Sequence, residues 1–184
     1  GGSATVALVE VGEHTWVIKR YNIKNLMHWL KRCWRPSRAW HSWVAGHHLT
    51  QIGITTPAPL AVIEHRRFWL RERAYLINAY STGQDLFQLL GRDGSEPPPA
   101  VVGEALCQLF TQLAAAQISH GDLKATNLLW DKGRIALIDL DALCVHRGHK
   151  SWQRAARIDR ARFIRNWPSG SPLADWLGRH LPTL

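Results

Sequence analysis

One segment, residues 101 to 139, limits what this chain can fold into more than any other. Val102, Leu106, Leu109, Phe110 and Leu113 recur on one face, which predicts an amphipathic helix over Val101 to Gln117. The polar run His120-Gly121-Asp122-Leu123-Lys124-Ala125-Thr126-Asn127 comes directly after it. Next come two short strand-like runs, Asn127 to Trp130 and Arg134 to Ile138, joined by Asp131-Lys132-Gly133 as a tight turn; the second run closes on Ile138-Asp139. Asp122, Lys124, Asn127 and Asp139 are therefore expected near one another.

Those residue types in that order suit phosphoryl transfer. The reaction needs one carboxylate to accept or orient the attacking hydroxyl, and separate oxygen ligands to hold Mg²⁺ against a triphosphate. Asp122 can take the first role, with Asn127 and Asp139 taking the second. Lys124 can neutralise charge on the transferred group. Short polar residues also favour turns, but that preference alone accounts poorly for three at this spacing. His120 reads first as a scaffold tying the loop to the Asp139 turn by hydrogen bonds, and second as a proton carrier. Asp141 either assists a metal or caps the next segment of chain.

Upstream, Thr5 to Val11 and His14 to Tyr21 alternate like strands around Gly12-Glu13, a β-hairpin. Ser37 is a candidate N-cap for a helix running to Gln51, along which Trp40, Trp43, Val44 and His47 recur at helical spacing. Leu60 to Glu64 and Ala74 to Tyr80 predict two further strands. The first part is thus a small sheet carrying one helix. Residues 91 to 99, Gly-Arg-Asp-Gly-Ser-Glu-Pro-Pro-Pro, form the only linker-like stretch, and a basic helix is expected over Trp152 to Trp167.

Hydrophobic residues at 46 % and charged residues at 20 % of 184 exclude a disordered or low-complexity chain. Lys and Arg number 23 against 14 Asp and Glu, a formal charge of +9 that favours an anionic partner. Cys33, Cys107 and Cys144 are odd in number and far apart, so reduced thiols are expected. No run reaches the roughly 20 apolar residues of a spanning helix, and no signal peptide is read. The chain opens on Gly-Gly-Ser, and its N-terminus is read as truncated.

The catalytic-loop pattern His-Gly-Asp-Leu-Lys-x-x-Asn with a later Ile-Asp resembles the protein-kinase-like superfamily. Trp16-Val17-Ile18-Lys19 is similar to its strand-borne Val-Ala-Ile-Lys. Within the superfamily, Val17-Ile18-Lys19-Arg20-Tyr21-Asn22, Arg35-Pro36-Ser37-Arg38-Ala39, residues 53 to 60 and Ile138-Asp139-Leu140-Asp141 resemble the bacterial lipopolysaccharide core kinases, which phosphorylate Kdo or heptose. The resemblance implies a single α+β, protein-kinase-like, two-lobed domain over 1–184. Its N-lobe, about 1–80, is a small antiparallel sheet with one helix; a hinge covers about 80–84; the C-lobe, about 85–184, is reduced and mainly helical. The nucleotide is expected between them.

The resemblance further implies ATP and Mg²⁺, with Asp122 as base, Lys124 beside it, Asn127 and Asp139 on the metal, and Lys19 on the phosphates. The implied acceptor is an anionic lipid-linked glycan. The implied location is cytoplasmic, peripheral at most on the inner face of the inner membrane. Two departures stand out. Only Gly1-Gly2 precede the first strand, where a Gly-rich loop belongs. No Asp or Glu occurs from His14 to Ile63, and Ser42 sits where a helix acid would pair with Lys19, leaving Glu64, Glu72 or phosphate alone to do so.

Alternatives are a kinase of another small molecule or protein, and a pseudokinase that only binds. Trp29, Trp34, Trp40 and Trp43 interleave with Lys31, Arg32, Arg35 and Arg38. That pattern is either a surface whose tryptophans pack on the small lobe or an interfacial patch for anionic head groups and sugar phosphates. No nucleic-acid partner is expected.

Overall fold

The structure, a computed structural model, describes residues 4–22, 36–67 and 70–182. The chain divides into two compact units, 1–81 and 82–184.

In the first unit, β1 (Ala4–Val11) and β2 (His14–Tyr21) form the expected hairpin, with Gly12 at φ +61° in its turn. Helix α1 (Arg38–Gln51) begins where Ser37 accepts the Trp40 N–H at 2.9 Å. β3 (Pro59–Arg67) and β4 (Leu70–Ala79) complete an antiparallel sheet of order β1-β2-β4-β3. Both are longer than the apolar pattern indicated, because the far end of this hairpin is built from charged residues.

Pairing of Tyr21 with Ala74, Lys19 with Leu76 and Val62 with Leu76 sets these residues on one sheet face. On that face Tyr21, Ala74 and Leu76 bury against Ala39 of α1, with Ala4, Trp43 and Val62 packed around them. The helix buries its small residues, Ala39, Ser42, Ala45 and Gly46, together with Leu49. Small side chains let the helix approach closely: a Cβ on Gly46 would lie 3.1 Å from Pro59. Trp40, by contrast, is 43 % exposed. Of the tryptophan and basic cluster, Trp29, Lys31, Arg32, Trp34 and Arg35 lie outside the described residues, as does Cys33; Cys107 and Cys144 are free.

The second unit contains α2 (Leu86–Leu89), α3 (Ala100–Ala115), α4 (His149–Ile164) and α5 (Pro172–His180). Its strands are short: β5 (Gln84–Asp85) with β7 (Leu128–Asp131) and β8 (Arg134–Leu137), and β6 (Ile118–Ser119) with β9 (Cys144–Val145). α3 buries Val102, Leu106, Leu109, Phe110 and Leu113, the stripe its sequence spacing required. Phe110 meets Phe163 of α4 at 5.8 Å, and Phe163 meets Trp167 edge-on at 5.4 Å. Each fully buried Leu or Phe here contributes about 1.5–3 kcal/mol.

Three features of this unit differ from the sequence reading. The last basic helix starts at His149 and ends at Ile164, not Trp152 to Trp167. Helix α5, capped by Ser171 with Pro172 in its first turn, was not anticipated. The linker-like stretch 91–99 is docked within the second unit: Trp167 Nε1 donates to the Gly91 carbonyl at 2.7 Å, and Leu173 N–H to that of Gly94 at 3.1 Å.

Candidate active site

Asp122, Lys124, Asn127 and Asp139 lie in the second unit, on the loop after β6 and the turn after β8. Lys19 lies on β2 in the first unit.

The loop is built around His120, which is fully buried. Its Nε2 donates to the Ile138 carbonyl at 3.0 Å, while its Nδ1 accepts the Asp122 N–H at 3.4 Å, which places the ring proton on Nε2. The tie between loop and turn expected of His120 is therefore present. Gly121 follows at φ +79°, and a Cβ there would sit 2.6 Å from the Ala142 carbonyl oxygen. Only glycine lets the loop press this closely on the turn after Asp139.

Asp159 of α4, 4 % exposed, supports the loop from below. Its carboxylate accepts the His120 N–H at 2.6 Å and the Gly121 N–H at 3.0 Å. Sequence reading missed this residue. A signal existed: Asp159 is the lone acid of a basic helix and falls on its buried stripe with Trp152, Ala156 and Phe163, where an acid is rarely kept unless it is hydrogen-bonded.

Asp122 is one-third exposed and holds two cations. Lys124 Nζ donates to Oδ2 at 2.9 Å and Arg162 Nη1 to Oδ1 at 2.9 Å. The Asp122 carbonyl accepts both the Lys124 N–H and Asn127 Nδ2, each at 2.9 Å. Asn127 closes a single 3₁₀ turn, Ala125–Asn127. Its amide nitrogen is engaged by the loop, which leaves Oδ1 as its ligating atom. The Ile138 N–H donates to the Asn127 carbonyl at 3.0 Å, so Asp139 comes one residue beyond the ladder that begins at Asn127. Asp139 adopts the left-handed conformation, φ 59° and ψ 57°, which turns the chain sharply out of β8 into the helical turn holding Asp141.

Asn127 and Asp139 offer an amide oxygen and a carboxylate, donors suited to a hard divalent cation. Among the described residues no group of three or more His, Cys, Asp or Glu is gathered for a metal. A cation here would complete its shell with water and phosphate oxygens, as Mg²⁺ commonly does.

On β2, the Lys19 ammonium lies 5.1 Å from the Tyr21 ring centre, with Arg38 of α1 at 5.3 Å from the same ring. The Tyr21 hydroxyl is 3.4 Å from that of Ser42. Ser42 thus occupies the buried face of α1 toward this part of the sheet, and α1 itself carries no acid. The Glu64 carboxylate is engaged by the Ser37 N–H at 3.2 Å and by Arg66 at 2.6 Å, and Glu72 by His65 at 3.1 Å.

Comparison with known proteins bears on this arrangement. A family model, lipopolysaccharide kinase (Kdo/WaaP) family, matches residues 3–175. No curated protein sequence matches the chain. Among solved structures it is similar to WaaP in complex with acyl carrier protein, at 18 % identity and a TM-score of 0.61, covering 96 % of this chain and 83 % of that one. That likeness shows the fold, the α+β protein-kinase-like arrangement that the loop and strand motifs implied. The family match spans the segment from before Lys19 to beyond Arg162, and it makes the chain a kinase. It belongs to the lipopolysaccharide kinase (Kdo/WaaP) family.

Proposed function

We propose that this kinase transfers the γ-phosphoryl group of ATP to a hydroxyl of Kdo or heptose in the lipopolysaccharide inner core. The observation that carries the reading is the state of Asp122: a partly exposed carboxylate, fixed through its backbone to Asn127 and through its side chain to two cations. A general base must be oriented before it is useful, and this one is.

In the proposed reaction the acceptor hydroxyl oxygen attacks the γ-phosphorus, its proton passes to the Asp122 carboxylate, and the bond to the bridging oxygen of ADP breaks. Lys124 neutralises charge on the transferred group, and Lys19 contacts the phosphates as a point charge. Asn127 and Asp139 would hold Mg²⁺, which when bound offsets the charge of the triphosphate. The pseudokinase alternative loses ground to the family match and to the retention of Asp122, Asn127 and Asp139 together.

An anionic glycan acceptor is supported by the formal charge of +9 and by seven Lys and Arg without an acid between His14 and Ile63. Among the described residues no helix is long and apolar enough to cross a membrane, and we propose a cytoplasmic protein that meets its lipid-linked acceptor at the inner membrane surface. Neither reading involves nucleic acid.

The test is Asp122→Asn, assayed with γ-labelled ATP and purified lipopolysaccharide truncated to its inner core. Transfer is expected to fall about 10³-fold, to a residual rate still measurable with the label, while calorimetry shows ATP binding close to the parent. Turnover within about threefold of the parent removes Asp122 from the chemistry. Rising salt should raise the KM for lipopolysaccharide, since screening at ~0.15 M confines exposed charge interactions to roughly 8 Å.

A further inference from the structure

Asp159 and Arg162 stand one helical turn apart on α4, so their side chains leave the same face of the helix. Both reach the loop around Gly121, with opposite chemistry. Asp159 takes the peptide N–H groups of His120 and Gly121. Arg162 Nη1 donates to the Gly121 carbonyl at 2.6 Å and to Asp122 Oδ1 at 2.9 Å. Asp159 grips the donors of the loop, and Arg162 grips its acceptor together with the side chain of Asp122.

The two cations on Asp122 are not equivalent. Among the described residues Lys124 makes one side-chain hydrogen bond, to Oδ2, from a flexible stem that is half exposed. It can leave Asp122 without unmaking any other hydrogen bond of its side chain. Arg162 cannot, because withdrawing its planar guanidinium would also strip the donor from the Gly121 carbonyl. One carboxylate oxygen therefore has a fixed partner and the other a removable one.

We propose that Arg162 is a positioning residue for phosphoryl transfer: it fixes Asp122 through Oδ1, so that Oδ2, vacated when Lys124 turns to the transferred phosphoryl group, is the atom that takes the acceptor proton. The inference rests on Asp122 being the base. It adds which oxygen acts, which cation stays and which one moves. The acceptor O–H bond breaks toward Oδ2 as the new O–P bond forms, and Arg162 takes no proton in the step.

The experiment compares Arg162→Met, Arg162→Lys, Asp122→Asn and the double variant Asp122→Asn/Arg162→Met, with Arg165→Gln, at the exposed residue that caps the C-terminal end of the same helix, as a control. Transfer from γ-labelled ATP to lipopolysaccharide truncated to its inner core gives kcat and both KM values, and thermal melting reports the folded fraction. Arg162→Met should lower kcat about 10²-fold, the scale of a misplaced reacting group, with the KM for ATP within about twofold of the parent. Arg162→Lys, which keeps the charge, should recover about tenfold of that loss. The double variant should be no slower than Asp122→Asn alone, since both changes act through one carboxylate.

Arg162→Met within about threefold of the parent kcat, or losses that add in the double variant, overturns the inference. If Arg162→Met melts below the assay temperature, a fully folded Arg162→Lys that is as slow as Asp122→Asn also overturns it. Turnover retained by Asp122→Asn defeats the base assignment itself. Turnover lost in Asp122→Asn but kept in Arg162→Met defeats only the role of Arg162.

Discussion

His120 donates from Nε2 to the Ile138 carbonyl at 3.0 Å, across eighteen residues of chain, and this bond sets the distance between the loop carrying Asp122 and the turn carrying Asp139. The ring also accepts the Asp122 N–H at its other nitrogen, so one buried side chain addresses both the loop and the turn of the site. A hydrophobic replacement of similar size leaves the Ile138 carbonyl without its donor. His120→Phe is therefore expected to cost about 1–3 kcal/mol, lowering the melting midpoint by roughly 2–4 °C per kcal/mol. Transfer should fall further than the folded fraction does. A melting curve and turnover both matching the parent would show that the bond sets nothing.

Much of this was legible in the sequence because it rests on local chemistry. Gly12 in the first hairpin, Ser37 before α1, and Gly133 at φ 78° between β7 and β8 each declare a turn or cap through the residue itself. The apolar stripe of α3 declares its own burial. What escaped reading depends on partners far along the chain. Asp159 is recognised by two peptide N–H groups 38 and 39 residues away, and peptide groups leave no trace in a side-chain pattern. The stretch 91–99 has the composition of a linker, yet Trp167 and Leu173 hold its backbone. On α1 the tryptophan recurrence marked a helix but not its buried face, because close approach to the sheet selects Ala39, Ser42, Ala45 and Gly46 instead.

Gly121 should tolerate no side chain. At φ +79° an L-residue already costs roughly 1–2 kcal/mol, and a Cβ would meet the Ala142 carbonyl oxygen at 2.6 Å and the Ala142 Cβ at 2.8 Å. Backbone on one side and α4 on the other leave the loop no direction in which to yield. Gly121→Ala is expected to lose about 3 kcal/mol or more in denaturant unfolding and to abolish transfer. Gly133→Ala is the control: it shares the positive φ but has nothing within 4 Å of the added carbon, so it should lose only the backbone part, about 1–2 kcal/mol.

Asn127 and Asp139 should separate in their effects. The Asn127 side chain donates to the Asp122 carbonyl, so Asn127→Ala disturbs the loop as well as removing a neutral oxygen ligand. Asp139→Asn keeps a residue that accepts the left-handed conformation while removing the charge that a divalent cation feels most. Calorimetry with Mg²⁺ and a non-hydrolysable ATP analogue should therefore show the larger loss of affinity for Asp139→Asn. Thermal melting without ligand should show the larger loss of stability for Asn127→Ala, about 1 kcal/mol. The reverse order in calorimetry would take Asp139 off the metal.

Glu64 should give the first unit a measurable dependence on pH. Burial alone would raise its pKa, but hydrogen bonds from Ser37 and Arg66, reinforced by the Arg66 charge, outweigh that and hold it below the ordinary 4.5. The carboxylate also ties the N-cap of α1 to β3, since its Oε1 accepts the Ser37 N–H while the Ser37 hydroxyl caps Trp40. A carboxyl held below its unfolded value binds fewer protons folded than unfolded. Its contribution is thus complete above pH 4.5 and is lost as pH falls through the lowered value. At neutral pH, Glu64→Gln should cost about 1.5–3 kcal/mol, the scale of hydrogen bonds to a charged group. The gap between the two melting curves should then narrow as the pH is lowered from 6 toward about 3, because the parent loses what the variant never had. A gap that stays constant over that range would mean that Glu64 holds the helix cap by shape alone, with its charge contributing nothing.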